Sequence, residues 1–250
     1  MLEDATIMLI LLAMAAFVAG FIDAIAGGGG LITVPALVLA GLPPVDALGT
    51  NKFQGLFGTA SAALNYSRNG YVDLKHQWPA AVLAGAAAVL GAAVATIVPA
   101  NWFHSVLPFL LIAIALFFWL KPDLDDKDKA ARLSPSLFMT TLVPLVGFYD
   151  GLFGPGTGSF FMLGFVALAG YGVLKATAHT KLLNFASNVG GFLLFAWAGA
   201  IAWKIGLIMG LAQIAGARLG SSLAMKNGAK LIKPLLVVTC LALAASLWAD

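Results

Sequence analysis

Long apolar runs, separated by short polar or glycine-rich breaks, repeat along the whole chain. Candidate membrane segments cover residues 5–26, 31–42, 48–66, 78–98, 102–120, 136–153, 159–169, 176–198, 201–225 and 230–248. Crossing about 30 Å of hydrocarbon takes roughly 20 apolar residues. All but two of the segments approach or exceed that length. The exceptions, 31–42 and 159–169, are too short at the rise of an α-helix. Each follows a break that cannot stay helical: Gly27-Gly28-Gly29-Gly30 and Gly154-Pro155-Gly156-Thr157-Gly158. The pattern predicts an all-α polytopic membrane protein of about eight membrane helices, with two glycine-broken segments that are re-entrant or discontinuous.

The two breaks expose an internal repeat. Gly20-Phe21-Ile22-Asp23 aligns with Gly147-Phe148-Tyr149-Asp150, and Ala47 to Lys52 aligns with Ala176 to Lys181. Lys75 then matches Lys204, and Leu90-Gly91 matches Leu219-Gly220. Apolar sequence of low complexity aligns readily by chance, but here an acid, a glycine cluster and two lysines match in order. The chain therefore divides into a first membrane repeat (1–120), a linker (121–135) and a second membrane repeat (136–250).

Basic residues orient the halves. In the first repeat the loop after the second spanning helix holds Arg68 and Lys75, and the next loop has no Lys or Arg. In the second repeat the equivalent loop has only Lys204, and the following one carries Lys226, Lys230 and Lys233. Lys and Arg favour the cytoplasmic face, so the copies are expected to lie upside down relative to each other, as in many transporters. Inversion requires an odd number of crossings per copy. Three result if each glycine-broken segment enters and leaves on one side, although residues 5–26 are long enough to span. The linker reads as a solvated cytoplasmic connector. The acidic start of the chain and its long first apolar run argue for a retained segment rather than a cleaved signal peptide.

Composition narrows the function. Only 10% of the residues are charged and 61% are hydrophobic, against about 25% charged in soluble domains. The net charge of +3 reflects lysines on cytoplasmic loops rather than a nucleic-acid surface. The single cysteine, Cys240, excludes a disulfide framework, and the three histidines lack metal-ligand spacing. No cofactor and no metal are expected. No phosphate-binding glycine loop is present, so ATP does not drive this chain from within.

The candidate chemistry clusters at the breaks. A short helix that starts at a break points its free N–H groups and positive dipole end into the membrane. Gly28, Gly29 and Gly30 in one half, and Gly156, Thr157 and Gly158 in the other, would form an anion site together. Lys52 and Lys181 occupy equivalent places; each either snorkels to an interface or faces the cavity as a functional intramembrane charge. Thr50, Asn51, His179 and Thr180 adjoin them and can donate to an oxyanion; Gln54, Asn184, Ser187 and Asn188 follow on neighbouring turns, where they either join them or bond helix to helix. Asp23 and Asp150 are open to three roles: bracing the breaks, pairing with the lysines, or carrying a coupled proton. Bracing is favoured, because carboxylates repel an anion. Arg218 has no evident partner. Expected partners are a small anionic substrate and the lipid bilayer, with a homodimer also open and nucleic acid excluded.

The run Gly27 to Leu37, followed by Gly41-Leu42-Pro43-Pro44 and by Ala47 to Gln54, resembles the TauE/SafE family of sulfite exporters. So does Gly147 to Gly158 followed by His179-Thr180-Lys181. The resemblance covers nearly the whole chain. It implies a multi-pass carrier of the bacterial inner membrane that exports sulfite or small organosulfonates such as sulfoacetate. Two alternatives share the residues: a passive anion channel, and an intramembrane aspartyl protease built on Asp23 and Asp150. The Gly-x-Gly-Asp half of the protease signature is absent, which places that reading last.

Overall fold

A computed structural model describes residues 2–97, 101–120 and 124–249. They form α1 (Leu2–Ala26), α2 (Gly30–Leu39), α3 (Pro44–Arg68), α4 (Leu74–Ala95) and α5 (Asn101–Leu120), then α6 (Pro135–Leu152), α7 (Thr157–Ala167), α8 (Val173–Trp197), α9 (Trp203–Asn227) and α10 (Ala229–Ala249). Helix starts carry the expected signals. Pro44 opens α3, Asp73 accepts the N–H groups of Lys75 and His76 at the start of α4, and Ser134 precedes Pro135 at the start of α6.

Both short helices fold back along the helix before them. Gly29 lies against Ala19 and Asp23 of α1, and Leu37 clusters with Leu12 and Ala16. In the second half the Phe160 ring packs 4.9 Å from Tyr149, and Phe165 packs 4.9 Å from Phe138. Each glycine break is thus the tip of a helical hairpin.

These hairpins pack against the other half of the chain. α1 lies on α9 and α6 on α4, while α3 and α8 cross at the centre and α5 meets α10. Small residues permit the close approach, as is usual between membrane helices. Gly216 and Gly220 sit against the backbone of Phe17 and Phe21, and Gly91 sits against that of Phe148.

Large apolar side chains face outward, among them Leu11 and Met14 of α1, Val82 and Leu90 of α4, and Leu207 and Leu211 of α9. So continuous an apolar exterior suits lipid. Among the described residues three helices are both long and apolar enough to cross a membrane: Thr6–Ala26, Leu74–Ala95 and Trp203–Asn227. α3 and α8 are equally long, at 25 residues each. Their polar side chains lower their hydropathy, and most of these, including Lys52, Lys181, Asn51, Asn184 and Asn188, are buried inside the protein.

The linker is stitched down rather than merely solvated. One carboxylate, Asp126, accepts the N–H of Leu174 at 2.9 Å and that of Ala229 at 3.0 Å, capping α8 and α10 together. Asp128 accepts the Gly172 N–H at 2.9 Å and pairs with Lys175 at 2.5 Å. Partial burial alone would raise the Asp128 carboxyl, but these two donors prevail and hold it below its ordinary value. The α3–α4 turn, the start of α8 and the start of α10 therefore gather at the linker end.

Candidate functional site

The first hairpin turns at Gly27 (φ 80°) and Gly28 (φ 100°), and the second at Gly154 (φ 89°) and Gly156 (φ 82°). Only glycine adopts such angles freely. The tips touch. A methyl group added to Gly27 would lie 2.5 Å from Gly158 C and Ser159 N, and one on Gly158 would lie 2.6 Å from Gly27 Cα. The Ser159 hydroxyl donates to the Ala26 carbonyl at 3.1 Å, tying the second tip to the first.

Each aspartate braces its own tip. Asp23 Oδ1 accepts the Gly29 N–H at 3.2 Å, and Asp150 Oδ1 accepts the Thr157 hydroxyl at 2.7 Å. Each also pairs with a lysine, and the pairing crosses the halves. Lys52 of α3 lies 2.7 Å from Asp150, and Lys181 of α8 lies 3.2 Å from Asp23. Lys181 additionally donates to the Asp23 carbonyl. Bracing and pairing therefore coexist. Both lysines are fully buried and neither snorkels. Glycines make the room for Lys52: Gly191 lies beneath its methylenes and Gly154 beneath its ammonium.

The lysines sit at matching depths. Lys52 is eight residues into α3 and Lys181 eight into α8, each about 12 Å along its helix. α8 starts at the linker end, where α3 finishes, so the two depths are measured from opposite ends.

Between the tips lies a cavity of about 30 Å³, room for a water or two. Of the expected site residues, Gly28, Gly29, Gly30, Asn51, Lys52, Thr157, Gly158 and Asn184 line it, with Asp23 and Asp150. Asn51 is held by the Thr33 hydroxyl at 2.6 Å and by the Gln54 amide at 2.9 Å.

The remaining expected residues lie off the cavity wall. The Thr50 hydroxyl accepts the Ala202 N–H at 2.9 Å at the start of α9. His179 packs 4.9 Å from the Tyr171 ring and lines a separate cavity of about 630 Å³ at the linker end, with Tyr71, His76 and Lys175. Thr180 is buried in α8, its hydroxyl without a hydrogen-bond partner among the described residues. Gln54, Gly156 and Lys181 stand behind the lining. Adjacent helix positions face different ways, so neighbours of Lys52 and Lys181 do not share their direction.

Sequence reasoning missed Gly55, Gly58, Thr59 and Gln213 as lining and did not give Gly20 or Gly154 that role; Asn188, weighed with Asn184, lines the cavity too. Asn188 sits over Gly55, and Gln213 sits over Gly58. The four-residue spacings Asn51–Gly55 and Asn184–Asn188 were the available signal: each sets a polar or side-chain-free stripe along one helix face.

The charge balance differs from the expectation of lysine-derived positive potential. Two ammonium groups face two carboxylates, and these formal charges cancel. What remains is the dipole at the N-termini of α2 and α7, about half a charge each.

A family model described as sulfite exporter TauE/SafE matches residues 12–247. A probable membrane transporter protein, ORF9, of a Sinorhizobium species is 63% identical over 97% of this chain and 93% of its own. A probable membrane transporter protein of Haemophilus influenzae is 45% identical over 94% of this chain and 92% of its own. The probable membrane transporter protein YfcA of Escherichia coli K12 is 44% identical over 94% and 87%. No solved structure matches the chain.

Proposed function

Since the chain belongs to the TauE/SafE sulfite exporter family, and is thus a membrane transporter rather than an enzyme, we propose that it exports sulfite or small organosulfonates such as sulfoacetate across the bacterial inner membrane. The solute binds where the two hairpin tips meet. Lys52, the N-terminal ends of α2 and α7, Asn51, Thr157 and Asn184 receive its oxygens. The observation that carries this reading is the buried ammonium of Lys52 on the wall of a polar cavity between two glycine breaks.

The transporter is built as two inverted repeats, 1–120 and 136–250, joined by a cytoplasmic linker over 121–135. About eight long helices lie in the membrane; three of each copy cross it, and each glycine-broken hairpin enters and leaves on one side. Support comes from the antiparallel run of the repeat mates α3 and α8, in which Gly49 near the start of α3 lies against Ala200 just past α8 and the turn after α3 lies by Lys175, and from the reciprocal packing of α1 on α9 and of α6 on α4. Rocking of one repeat against the other around the fixed tips would alternate access.

The test is calorimetry or thermal shift on purified protein with sulfite, sulfoacetate, taurine, sulfate and thiosulfate. Binding of sulfite or sulfoacetate, weakened at least tenfold in Lys52→Ala, is expected; losing one charge-assisted hydrogen bond costs about 1.5–3 kcal/mol. Equal affinity in that variant removes Lys52 from the site. Trans-stimulated, saturable flux distinguishes a carrier from a channel.

A further inference from the structure

The two ion pairs are repeat equivalents, yet their chemistry differs. Asp23 uses both carboxylate oxygens: Oδ1 receives Gly29 and Oδ2 receives Lys181. Asp150 concentrates its contacts on one, where Oδ1 takes both Lys52 and Thr157, each at 2.7 Å. Its Oδ2 is buried and meets no donor among the described residues. The lysines differ in the same sense. Lys52 lines the cavity, whereas Lys181 lies behind it with its ammonium also held by a backbone carbonyl. Asp23 reaches the cavity wall too, but its lysine does not; of the two pairs, only Lys52–Asp150 presents both members to a solute.

An anion that enters this cavity adds charge to a set that already cancels. Lys52 has further N–H donors to offer it, but its charge is already balanced by Asp150, so a buried carboxylate stands beside the incoming anion. A proton on Asp150 removes both the excess negative charge and the repulsion. Oδ2 is the oxygen open to receive it.

Other groups around Asp150 are already committed. α3 contributes Lys52, and α8 contributes Lys181, which is bound to Asp23 of α1. α7 contributes Thr157, which does not titrate. Tyr149, beside Asp150 on α6, donates its hydroxyl to the Pro155 carbonyl. α4 meets α6 through Ala84, Ala88 and Gly91, and its Lys75 and His76 lie in its first turn at the linker end.

We propose that Asp150 is the proton carrier of this transporter: the solute anion takes Lys52 while Asp150 Oδ2 takes a proton, and the two cross together. On loading, an O–H bond forms at Oδ2 with a proton from water of the entry side. On release that bond breaks heterolytically, the proton returns to water on the far side, and the Lys52–Asp150 pair re-forms. No electrons are exchanged. This coupling rests on the anion-carrier reading above.

The experiment is calorimetric titration of purified transporter with sulfoacetate at neutral pH, where that probe is fully ionised. It is run in buffers of different protonation enthalpy, so that the heats count protons. Wild type is expected to take up about one proton per anion bound, and its affinity to rise about tenfold per pH unit of acidification across that range. Asp150→Asn is expected to bind sulfoacetate with no uptake and no such slope. Binding by wild type without proton uptake, or uptake retained in Asp150→Asn, overturns the proposal and leaves the anion site standing. Absence of sulfoacetate and sulfite binding sinks the anion-carrier reading, and the coupling with it. Should Asp150→Asn fail to fold, infrared difference spectra of wild type decide. A protonated-carboxyl C=O band that appears on adding sulfoacetate supports Asp150 protonation, and its absence refutes it.

Discussion

Replacing Gly27 by alanine tests the contact on which the site depends. At φ 80° a residue with a β-carbon costs about 1–3 kcal/mol in backbone strain. The new methyl would also lie 2.5 Å from two backbone atoms of the opposite tip. Carbon contacts are comfortable at about 3.5–4.0 Å, so the tips must separate by about 1 Å. Overpacking of that kind costs a further 1–3 kcal/mol, roughly. Gly41 supplies the control: its φ is 90° and a methyl there meets nothing within 4 Å. Gly41→Ala therefore carries the strain without the collision. In thermal unfolding of detergent-purified protein, Gly27→Ala should melt about 2–12 °C below Gly41→Ala, at about 2–4 °C per kcal/mol. Gly27→Ala should also lose anion binding, while Gly41→Ala keeps it. Equal melting of the two variants would mean that the hairpin tips do not meet.

Asp23→Leu leaves the fully buried Lys181 without its carboxylate and should cost about 3–5 kcal/mol, much of it recovered in the double variant Asp23→Leu/Lys181→Met; denaturation midpoints around the cycle measure the coupling. Asp126→Ala removes the cap of two helices and should cost about 1–4 kcal/mol, at 0.5–2 kcal/mol for each cap, read from the melting temperature. Because Asp128 is held below its ordinary value, its grip on the Gly172 amide is present above the unfolded-state value of about 3.9 and is lost as pH falls through the lower folded one. Hydrogen exchange at that amide should stay protected in mild acid and open only below it, whereas Asp128→Ala, which has no acceptor, should be open at every pH. Single cysteines at Asn69 and Asn227, in a Cys240→Ala background, should react with an impermeant maleimide from one and the same face of the membrane; labelling from opposite faces refutes the inversion.

Much of this arrangement was legible before the coordinates. The glycine runs had to be breaks, because neither is compatible with a helix interior, and the matched order of Asp23, Gly27 and Lys52 with Asp150, Gly154 and Lys181 marked equivalent positions. Which acid meets which lysine was not legible. Sequence spacing within one half says nothing about a partner contributed by the other, and Lys52 finds Asp150 only because the halves interlock. His179 and Thr180 lie off this cavity for a local reason. They adjoin Lys181 along the chain but point to other faces of α8, one toward the rings of Phe165 and Tyr171. Gln213 gave no signal of its own. It reaches the cavity because Gly58, on a different helix, has no side chain in its way.

The reciprocal salt bridges have a consequence for biogenesis. When the ribosome has delivered the amino-terminal half, Lys52 and Asp23 are both in the bilayer and neither has its counterion. The first half is thus an incomplete product that must wait, exposed to quality-control proteases, until Asp150 and Lys181 are synthesised. Two separately expressed halves should each be degraded alone and rescue one another when made together.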